Sequence, residues 1–145
     1  VPFAHHAGTL ESVKGALLGK ILIDVTVPLV PPKVARVQLP KEGSAGEIAQ
    51  AILGDEVMVV SAFQNVAAHH LQEGKGIQCD VLVSGNDKNA REQVIQLVEA
   101  AGMKGYHAGL ISNAAAAEAM TSVLINLNRQ FKGHAGIKIT GTGND

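Results

Sequence analysis

The stretch Ile21–Val27, with the sequence ILIDVTV, is a short and nearly continuous run of aliphatic, mostly β-branched residues. Val57–Phe63 (VMVVSAF) and Asp80–Ser84 (DVLVS) repeat the pattern, and Gly105–Ala108 (GYHA) is a weaker fourth example. Runs of this length and composition are typical of strands that are buried in a parallel sheet. We therefore expect the first three runs to pair in one sheet that helices cover.

Helical patterns lie between these runs. Ser44–Glu47 matches a capping box, which opens a helix that ends near Leu53. Asp87 can cap a helix that closes at Gly102, and Thr9–Leu18 carries apolar residues on one face of an earlier helix. This alternation of strand and helix predicts an α/β fold with a mostly parallel sheet.

The longest helix is predicted to begin at Ser112 or Asn113 and to run to about Phe131. Its alanine tract, Ala114–Ala117, allows another backbone to pack closely, although the helix propensity of alanine explains the tract equally well. Apolar residues recur at three- and four-residue steps, and we expect them to form the buried face: Ala116, Met120, Val123, Leu127 and Phe131.

A proline-rich segment, Pro28–Pro40, can be neither a helix nor a central strand, because proline lacks an N–H and fixes φ. It predicts a loop of about fourteen residues at the end of a strand, where open α/β sheets bind ligands. Polar residues also stand at predicted strand ends, namely Asp24 and Thr26 after the first strand and Gln64–Asn65 after the second. These features indicate either a ligand crevice or ordinary loop and turn chemistry.

The composition excludes several classes of protein. Among 145 residues, 12 Lys and Arg stand against 13 Asp and Glu, so the chain lacks the basic excess of nucleic-acid and anionic-lipid binders. No apolar run reaches the roughly 20 residues that span a bilayer, and no signal peptide is visible. The single cysteine, Cys79, excludes an internal disulfide. We expect a cytoplasmic protein without nucleic-acid or membrane partners.

Neither a metal site nor a phosphate site is evident. The histidine pairs His5-His6 and His69-His70 are adjacent rather than four residues apart, and Cys79 has no CxxC partner. We therefore expect no metal ion, and Cys79 is predicted to be a small core residue. No GxGxxG or Walker motif is present, and Gly141–Gly143 has no following helix to bind a phosphate.

Four segments together resemble a known family. They are ILIDVTVPLV at Ile21–Val30, VSAFQNV at Val60–Val66, DVLVSG at Asp80–Gly85 and GIKITG at Gly136–Gly141. In these segments, and in their order and spacing, the chain resembles the NADPH-dependent reductases of coenzyme F-420 (F420), also called F420-dependent NADP oxidoreductases. The resemblance covers nearly the whole chain.

This resemblance implies a hydride transfer between NADP(H) and F420, from C4 of the nicotinamide to C5 of the deazaflavin or the reverse. The cofactors would carry the chemistry, so no catalytic side chain is expected. Residues 1–66 would be the remainder of a Rossmann-like NADP-binding domain. Residues 67–145 would be a smaller α/β domain that contains the long Ala-rich helix, binds the deazaflavin and forms a homodimer.

The resemblance also assigns residues to the cofactor crevice. Pro2, Phe3 and His5 would lie near the nicotinamide, and the backbone of Ala135 would meet the deazaflavin. Some family members have His-Thr where Gln64-Asn65 stands here, so this chain lacks the charge options of a histidine there. The residues along the crevice wall would be Thr26, Val27, Pro28, Gln64, Asn65, Val66, Ala67 and Ala68.

Family members begin with a glycine-rich NADP loop that this sequence lacks. The chain starts at Val1 and looks like the C-terminal two-thirds of such an enzyme, so we expect impaired turnover from these residues alone. Two alternatives remain open at this point. The chain is a non-catalytic α/β dimerisation or binding module, or it is a reductase of the same fold that uses a flavin or a metal as acceptor.

Overall fold

The computed structural model of the protein describes residues 1–74 and 76–143. Single turns of 3-10 helix lie at Phe3–His5, Lys14–Leu17 and Ile111–Asn113. The other elements alternate, in the order α1 (His6–Val13), β1 (Ile21–Asp24), α2 (Ala45–Leu53), β2 (Met58–Ser61), α3 (Ala68–Glu73), β3 (Val81–Gly85), α4 (Lys88–Ala100), β4 (Gly105–Gly109) and α5 (Ala114–Phe131).

The four strands form one sheet in the order β1-β2-β3-β4. β1 runs parallel to β2, with Asp24 opposite Ser61, and β3 runs parallel to β4. β2 and β3 are antiparallel, with Ser61 opposite Ser84. The predicted α/β class, the mostly parallel sheet and the pairing of the first three strands are confirmed. The sheet runs across the predicted boundary between residues 66 and 67, and the division into two domains stays a prediction.

Alternate residues of the strands enter two apolar cores on opposite faces of the sheet. Val60 and Val83 pack with α4, through residues such as Val94. Val59 packs on the other side with Leu10 of α1 and with α2 and the start of α5. The sheet is therefore covered on both faces, as strands this apolar require.

Local capping rules place the starts of α2 and α4 correctly. Ser44 Oγ accepts a hydrogen bond from Glu47 N at 3.0 Å, and α2 ends at Leu53. Asp87 Oδ1 accepts from Ala90 N at 2.8 Å at the start of α4. The sequence predicts the first helix over Thr9–Leu18, whereas α1 spans His6–Val13. Its predicted apolar face is only partly right, since Leu10 is buried whereas Val13 and Leu18 are exposed.

The predicted buried face of α5 is wrong. Met120, Val123 and Phe131 are 39%, 45% and 71% exposed, Ala116 is exposed and Leu127 is half-buried. The buried residues are Ala114, Ala117, Glu118, Ser122 and Leu124.

Close packing between α2 and α5 explains the difference. A Cβ added to Gly46 in α2 would lie 3.3 Å from Ala114 Cβ and 3.0 Å from Ile111 Cδ1. At Gly46 there is no room for a larger side chain at position 114, so the start of the alanine tract makes this contact, while Met120, Val123 and Phe131 face away. Of the two interpretations of the tract, close packing against another helix is the one that the structure shows at Ala114.

Candidate functional site

The site begins where β1 and β2 end side by side. Asp24 is the last residue of β1, and its carbonyl oxygen accepts hydrogen bonds from Ala62 N at 3.2 Å and from Gln64 Nε2 at 2.9 Å. Asp24, Thr26 and Gln64 are all buried. The segments that follow the two strands are therefore tied together at the carboxyl edge of the sheet, which is the edge where ligands of α/β folds bind.

Gln64 has a buried polar atom without a partner. Its Nε2 donates to Asp24 O and to Ser61 Oγ, the latter at 2.8 Å, while its Oε1 has no hydrogen-bond partner among the described residues. The preceding residue, Phe63, has a φ of 72°, in the left-handed region that a side chain of this size rarely adopts. Such conformations concentrate at functional sites, and an unpaired buried acceptor is costly unless a ligand donates to it.

Gln64-Asn65 is fixed to α5 as well as to the sheet. Asn65 Nδ2 donates to Ala117 O at 2.8 Å, and Thr121 Oγ1 donates to Gln64 O at 2.8 Å. Cys79 Sγ lies 3.4 Å from Asn65 O. Cys79 is buried, as predicted for a core residue, and this burial raises the pKa of its thiol. A thiol with a raised pKa is a poor nucleophile, so Cys79 supports the site rather than reacting in it.

Two clefts open on either side of Gln64 and share it and Val66 as wall residues. The larger cleft has a volume of about 630 Å³ and lies between the strand ends, α3 and the end of α4. It is lined by Val25, Phe63, Gln64, Val66, Ala68, Leu71, Leu97, Ala100 and Ala101. The smaller cleft, of about 140 Å³, lies against α5 and is lined by Gln64, Asn65, Val66, Ala67, Thr121, Leu124, Ile125, Asn128 and Ala135. Neither lining includes a charged side chain, so both clefts suit uncharged ring systems.

A buried hydrogen bond between His6 and Asp24 supports the same edge from α1. His6 Nε2 lies 2.8 Å from Asp24 Oδ2, and Thr26 N donates to Asp24 Oδ1 at 2.9 Å. Burial acts to raise the pKa of Asp24, but the hydrogen bonds from His6 and Thr26 outweigh it and the pKa is lowered. Asp24 is therefore an anion that fixes the turn after β1. His6, Asp24 and Thr26 also line a third cleft, of about 200 Å³.

The sequence analysis assigned His5 to the cofactor crevice and gave no role to its neighbour His6. His5 is exposed, whereas His6 is 3% exposed and lies one helical turn before the buried Leu10. This four-residue spacing is the signal that distinguishes the inward histidine from the outward one.

The structure brings most of the predicted crevice residues together, but not all. Gln64 to Ala68 and Ala135 line the two clefts around Gln64, and Thr26 lines the third. Val27 and Pro28 follow in the proline-rich loop and line none of these clefts. Pro2, Phe3 and His5 do not line them either, and the Phe3 ring stacks on His6 at 6.1 Å between centroids. The cofactor contacts assigned to all these residues stay predictions.

Comparison with known proteins identifies several that are similar to this chain over nearly its whole length. No protein-family profile matches it. It is 36% identical over 146 residues to the F420-dependent NADP reductase of Methanocaldococcus jannaschii, an alignment that covers 97% of this chain and 65% of that protein. It is also 36% identical over 147 residues to the F420-dependent NADP reductase of Methanothermobacter marburgensis, covering 97% and 66%.

The chain is a homologue of the F420-dependent NADP reductases. The resemblance predicted from the four sequence segments is thereby confirmed. The chain spans 65% and 66% of the length of these two reductases.

Solved structures agree with this relationship. A protein from Arthrobacter sp. FB24, described as a proposed F420-dependent NADP reductase, superposes with a TM-score of 0.83 at 26% identity, covering 97% of this chain and 67% of its own. A hypothetical protein from Sinorhizobium meliloti shares the fold alone, with a TM-score of 0.62 at 22% identity over 79% of this chain and 56% of its own. Within the described residues, no helix is long and apolar enough to cross a membrane.

Proposed function

We propose that this chain forms the ring-binding wall of an enzyme that transfers a hydride between NADP(H) and F420. The observation that carries the proposal is the unpaired Oε1 of Gln64, buried between two uncharged clefts at the carboxyl edge of the sheet. The homologues named F420-dependent NADP reductases supply the identity of the two cofactors.

The residues present fit flat rings with polar edges. The larger cleft offers apolar walls. Gln64 lines it, and its buried Oε1 would accept a hydrogen bond from a ring N–H or a carboxamide once the side chain turns toward the ligand. When bound, the nicotinamide and the deazaflavin supply the hydride donor and acceptor. The chain's own part is to hold the rings, to orient them and to exclude water. Asp24 and His6 are hydrogen-bonded to each other and stabilise the wall, so no side-chain acid or base is assigned to the reaction.

The phosphates of NADP are a separate requirement. They need backbone amides at a helix N-terminus and basic side chains, which in dinucleotide folds come with a glycine-rich loop. The sequence contains no such loop, and the linings of the two clefts around Gln64 contain no Lys or Arg. We therefore expect the 145 residues to bind NADPH weakly and to turn over poorly by themselves.

The chain is expected to retain F420 in equilibrium dialysis, read by the absorbance of the deazaflavin. Gln64→Leu is expected to weaken this binding by about tenfold, because a buried polar group of the ligand loses its partner. Ser61→Ala is the matched control, since it removes one partner of Gln64 Nε2 and leaves Oε1 in place. The thermal midpoints of both variants report any damage to the fold.

Three outcomes of this dialysis would contradict the proposal in different ways. Absence of F420 binding by the unmodified chain would overturn the proposed function. Equal binding by Gln64→Leu would remove Gln64 from the site. Retention of a flavin in place of F420 would favour a reductase of the same fold with another acceptor.

We also propose that the chain assembles as a homodimer through the outer face of α5. The supporting observation is the exposed apolar stripe formed by Met120, Val123 and Phe131, together with Ala116. Apolar side chains that recur along 18 helical residues and remain exposed are typical of a protein contact surface.

Met120→Asp combined with Val123→Asp is expected to convert the dimer into a monomer in sedimentation equilibrium. The free energy of unfolding of the monomer should change by no more than about 0.5 kcal/mol, because both side chains lie on the surface. Val13→Asp, at a valine 38% exposed on α1, is the control and should leave the dimer intact. A monomeric unmodified chain at high concentration would show that α5 serves another purpose.

A further inference from the structure

Residues 134–139, which we call the post-α5 segment, are held against the start of β3 although they form neither a helix nor a strand. Asp80, the residue just before β3, donates its backbone N–H to Ile137 O at 2.9 Å. Its carboxylate reaches the same segment, since Asp80 Oδ2 accepts from Ile139 N at 2.7 Å. One residue therefore holds the segment through both its backbone and its side chain.

The burial of Asp80 makes this contact strong. Asp80 is 3% exposed, so water does not compete for its oxygens. Lys138 Nζ lies 3.9 Å from Asp80 Oδ1, but the lysine side chain is 70% exposed, and ion pairs with such groups contribute little. A hydrogen bond from a backbone N–H to a buried carboxylate is stronger than one between neutral groups. The bond to Ile139 is therefore the main side-chain contact between Asp80 and the post-α5 segment.

Close packing fixes the post-α5 segment beside Asn65. A Cβ added to Gly136 would lie 3.0 Å from both Cβ and Sγ of Cys79, so the backbone passes directly against this side chain. Cys79 Sγ in turn lies 3.4 Å from Asn65 O. Next to Gly136, Ala135 N donates to Asn128 Oδ1 at 2.5 Å. Ala135 and Asn65 both line the smaller cleft, so the segment forms one wall of it.

Asp80 lies between two walls of that cleft without lining it. On one side it holds the post-α5 segment, which contains Ala135. On the other side it adjoins residues 63–66, with which it helps to enclose a gap too small for a water molecule. Asp80 is absent from the linings of both clefts around Gln64, so a ligand in either cleft would not touch it. Any effect of Asp80 on binding must therefore act through the residues that it holds.

We propose that Asp80 is a positioning residue of the F420 site. By holding Ile137 and Ile139 at the start of β3, it keeps the backbone of Ala135 at the smaller cleft. This inference rests on the proposed function, because it requires F420 to bind beside Gln64. It goes beyond that function in giving a role to a carboxylate that the ligand does not meet.

The test compares two substitutions of Asp80. Asp80→Ala removes the acceptor, whereas Asp80→Asn retains one, because an amide oxygen can still accept from Ile139 N. We expect Asp80→Ala to weaken F420 binding by about tenfold in equilibrium dialysis, and Asp80→Asn to bind within about twofold of the unmodified chain. Hydrogen exchange of the Ile139 amide should be faster in Asp80→Ala alone. Asp87→Ala is the control, since it also removes a carboxylate that accepts from a backbone N–H, at the start of α4, and it should leave F420 binding unchanged.

A second pair of variants displaces the post-α5 segment without removing a buried carboxylate. Gly136→Ala would press a Cβ against Cys79, and we expect the displaced segment to weaken F420 binding severalfold. Gly133→Ala is the matched control, because an added Cβ there would meet nothing within 4 Å among the described residues beyond its chain neighbours. It should bind F420 as the unmodified chain does. This pair keeps the test decisive if Asp80→Ala does not fold.

The results distinguish failure of the positioning role from failure of the proposed function. If the unmodified chain does not bind F420, the proposed function is overturned and the positioning role with it. If the unmodified chain binds F420 and both Asp80→Ala and Gly136→Ala bind it equally well, only the positioning role is overturned. That role is also overturned if the Ile139 amide exchanges no faster in Asp80→Ala, or if Asp87→Ala loses as much F420 affinity as Asp80→Ala does.

Discussion

Glu118→Ala is expected to lower the free energy of unfolding by on the order of 3 kcal/mol. The carboxylate accepts hydrogen bonds from Ala45 N at 2.6 Å and from Gly46 N at 3.1 Å, at the N-terminus of α2. Glu118 is 1% exposed, so water cannot replace it. Truncation leaves two buried N–H groups without acceptors at a helix end that favours negative charge.

Glu118 also makes stability depend on pH in a defined direction. Burial raises the pKa of Glu118 to about 7, against the opposing hydrogen bonds from Ala45 and Gly46. Between the ordinary pKa of 4.5 and this value, the folded state binds more protons than the unfolded state. Stability that Glu118 contributes at acid pH is therefore lost as the pH rises through this window.

Glu118→Gln isolates this effect, because glutamine does not titrate and retains an acceptor oxygen. We expect the unmodified chain to lose roughly 3 kcal/mol relative to Glu118→Gln between pH 4.5 and pH 7. Urea unfolding at a series of pH values measures the difference, in which the titration of Asp24 and of other shared groups largely cancels. Glu11→Gln, at an exposed glutamate of α1, is the control. A difference that does not change with pH would contradict the raised pKa.

The strands and helix starts could be predicted because their causes are local. The run at Ile21–Val27 and the caps at Ser44 and Asp87 depend on neighbouring residues, which the sequence displays directly. The buried face of α5 could not be predicted, because periodicity locates an apolar stripe without showing which face meets the protein. Glu118 has the appearance of an ordinary surface glutamate until α2 is placed against it.

The candidate site, too, was predictable only where its features depend on neighbouring residues in the sequence. The polar residues at the ends of β1 and β2 follow from the strand pattern, and the structure places Thr26 and Gln64 at that edge. The unpaired Oε1 of Gln64 depends on contacts with Asp24 and Ser61, which no spacing rule contains. The hydrogen bond from Ile139 N to Asp80 likewise depends on the path of the chain after α5.

Asp24→Ala is expected to destabilise the chain by on the order of 3 kcal/mol and to weaken F420 binding at the same time. The substitution leaves two buried donors, His6 Nε2 and Thr26 N, without their carboxylate. Asp87→Ala is the matched control, since it also removes a carboxylate that accepts from a backbone N–H, at a helix cap worth about 1 kcal/mol. Equal losses in the two variants, measured by urea unfolding, would show that the buried pair contributes little.

Asp24→Asn removes the negative charge at this position and keeps the size and shape of the side chain. The amide oxygen can still accept from Thr26 N, which leaves the amide nitrogen to donate to His6 Nε2. That bond requires the proton of His6 to move to Nδ1, a buried atom without a partner among the described residues. We expect a cost of about 1–3 kcal/mol at neutral pH, from one unsatisfied donor rather than two.

The lowered pKa of Asp24 fixes how this cost depends on pH. A carboxyl group whose pKa is lower in the folded state contributes stability above its ordinary value of 3.8, and that stability is lost as the pH falls through the folded value. The gap between the unmodified chain and Asp24→Asn should therefore narrow in acid, as the carboxylate of Asp24 is protonated. Because the backbone oxygen of Asp24 also accepts a hydrogen bond from Gln64 Nε2, the F420 affinity of the unmodified chain should fall with its stability through this acid range, whereas Asp24→Asn should show no such loss from residue 24. Affinity that stays constant while stability falls would show that Gln64 keeps its position without the buried pair.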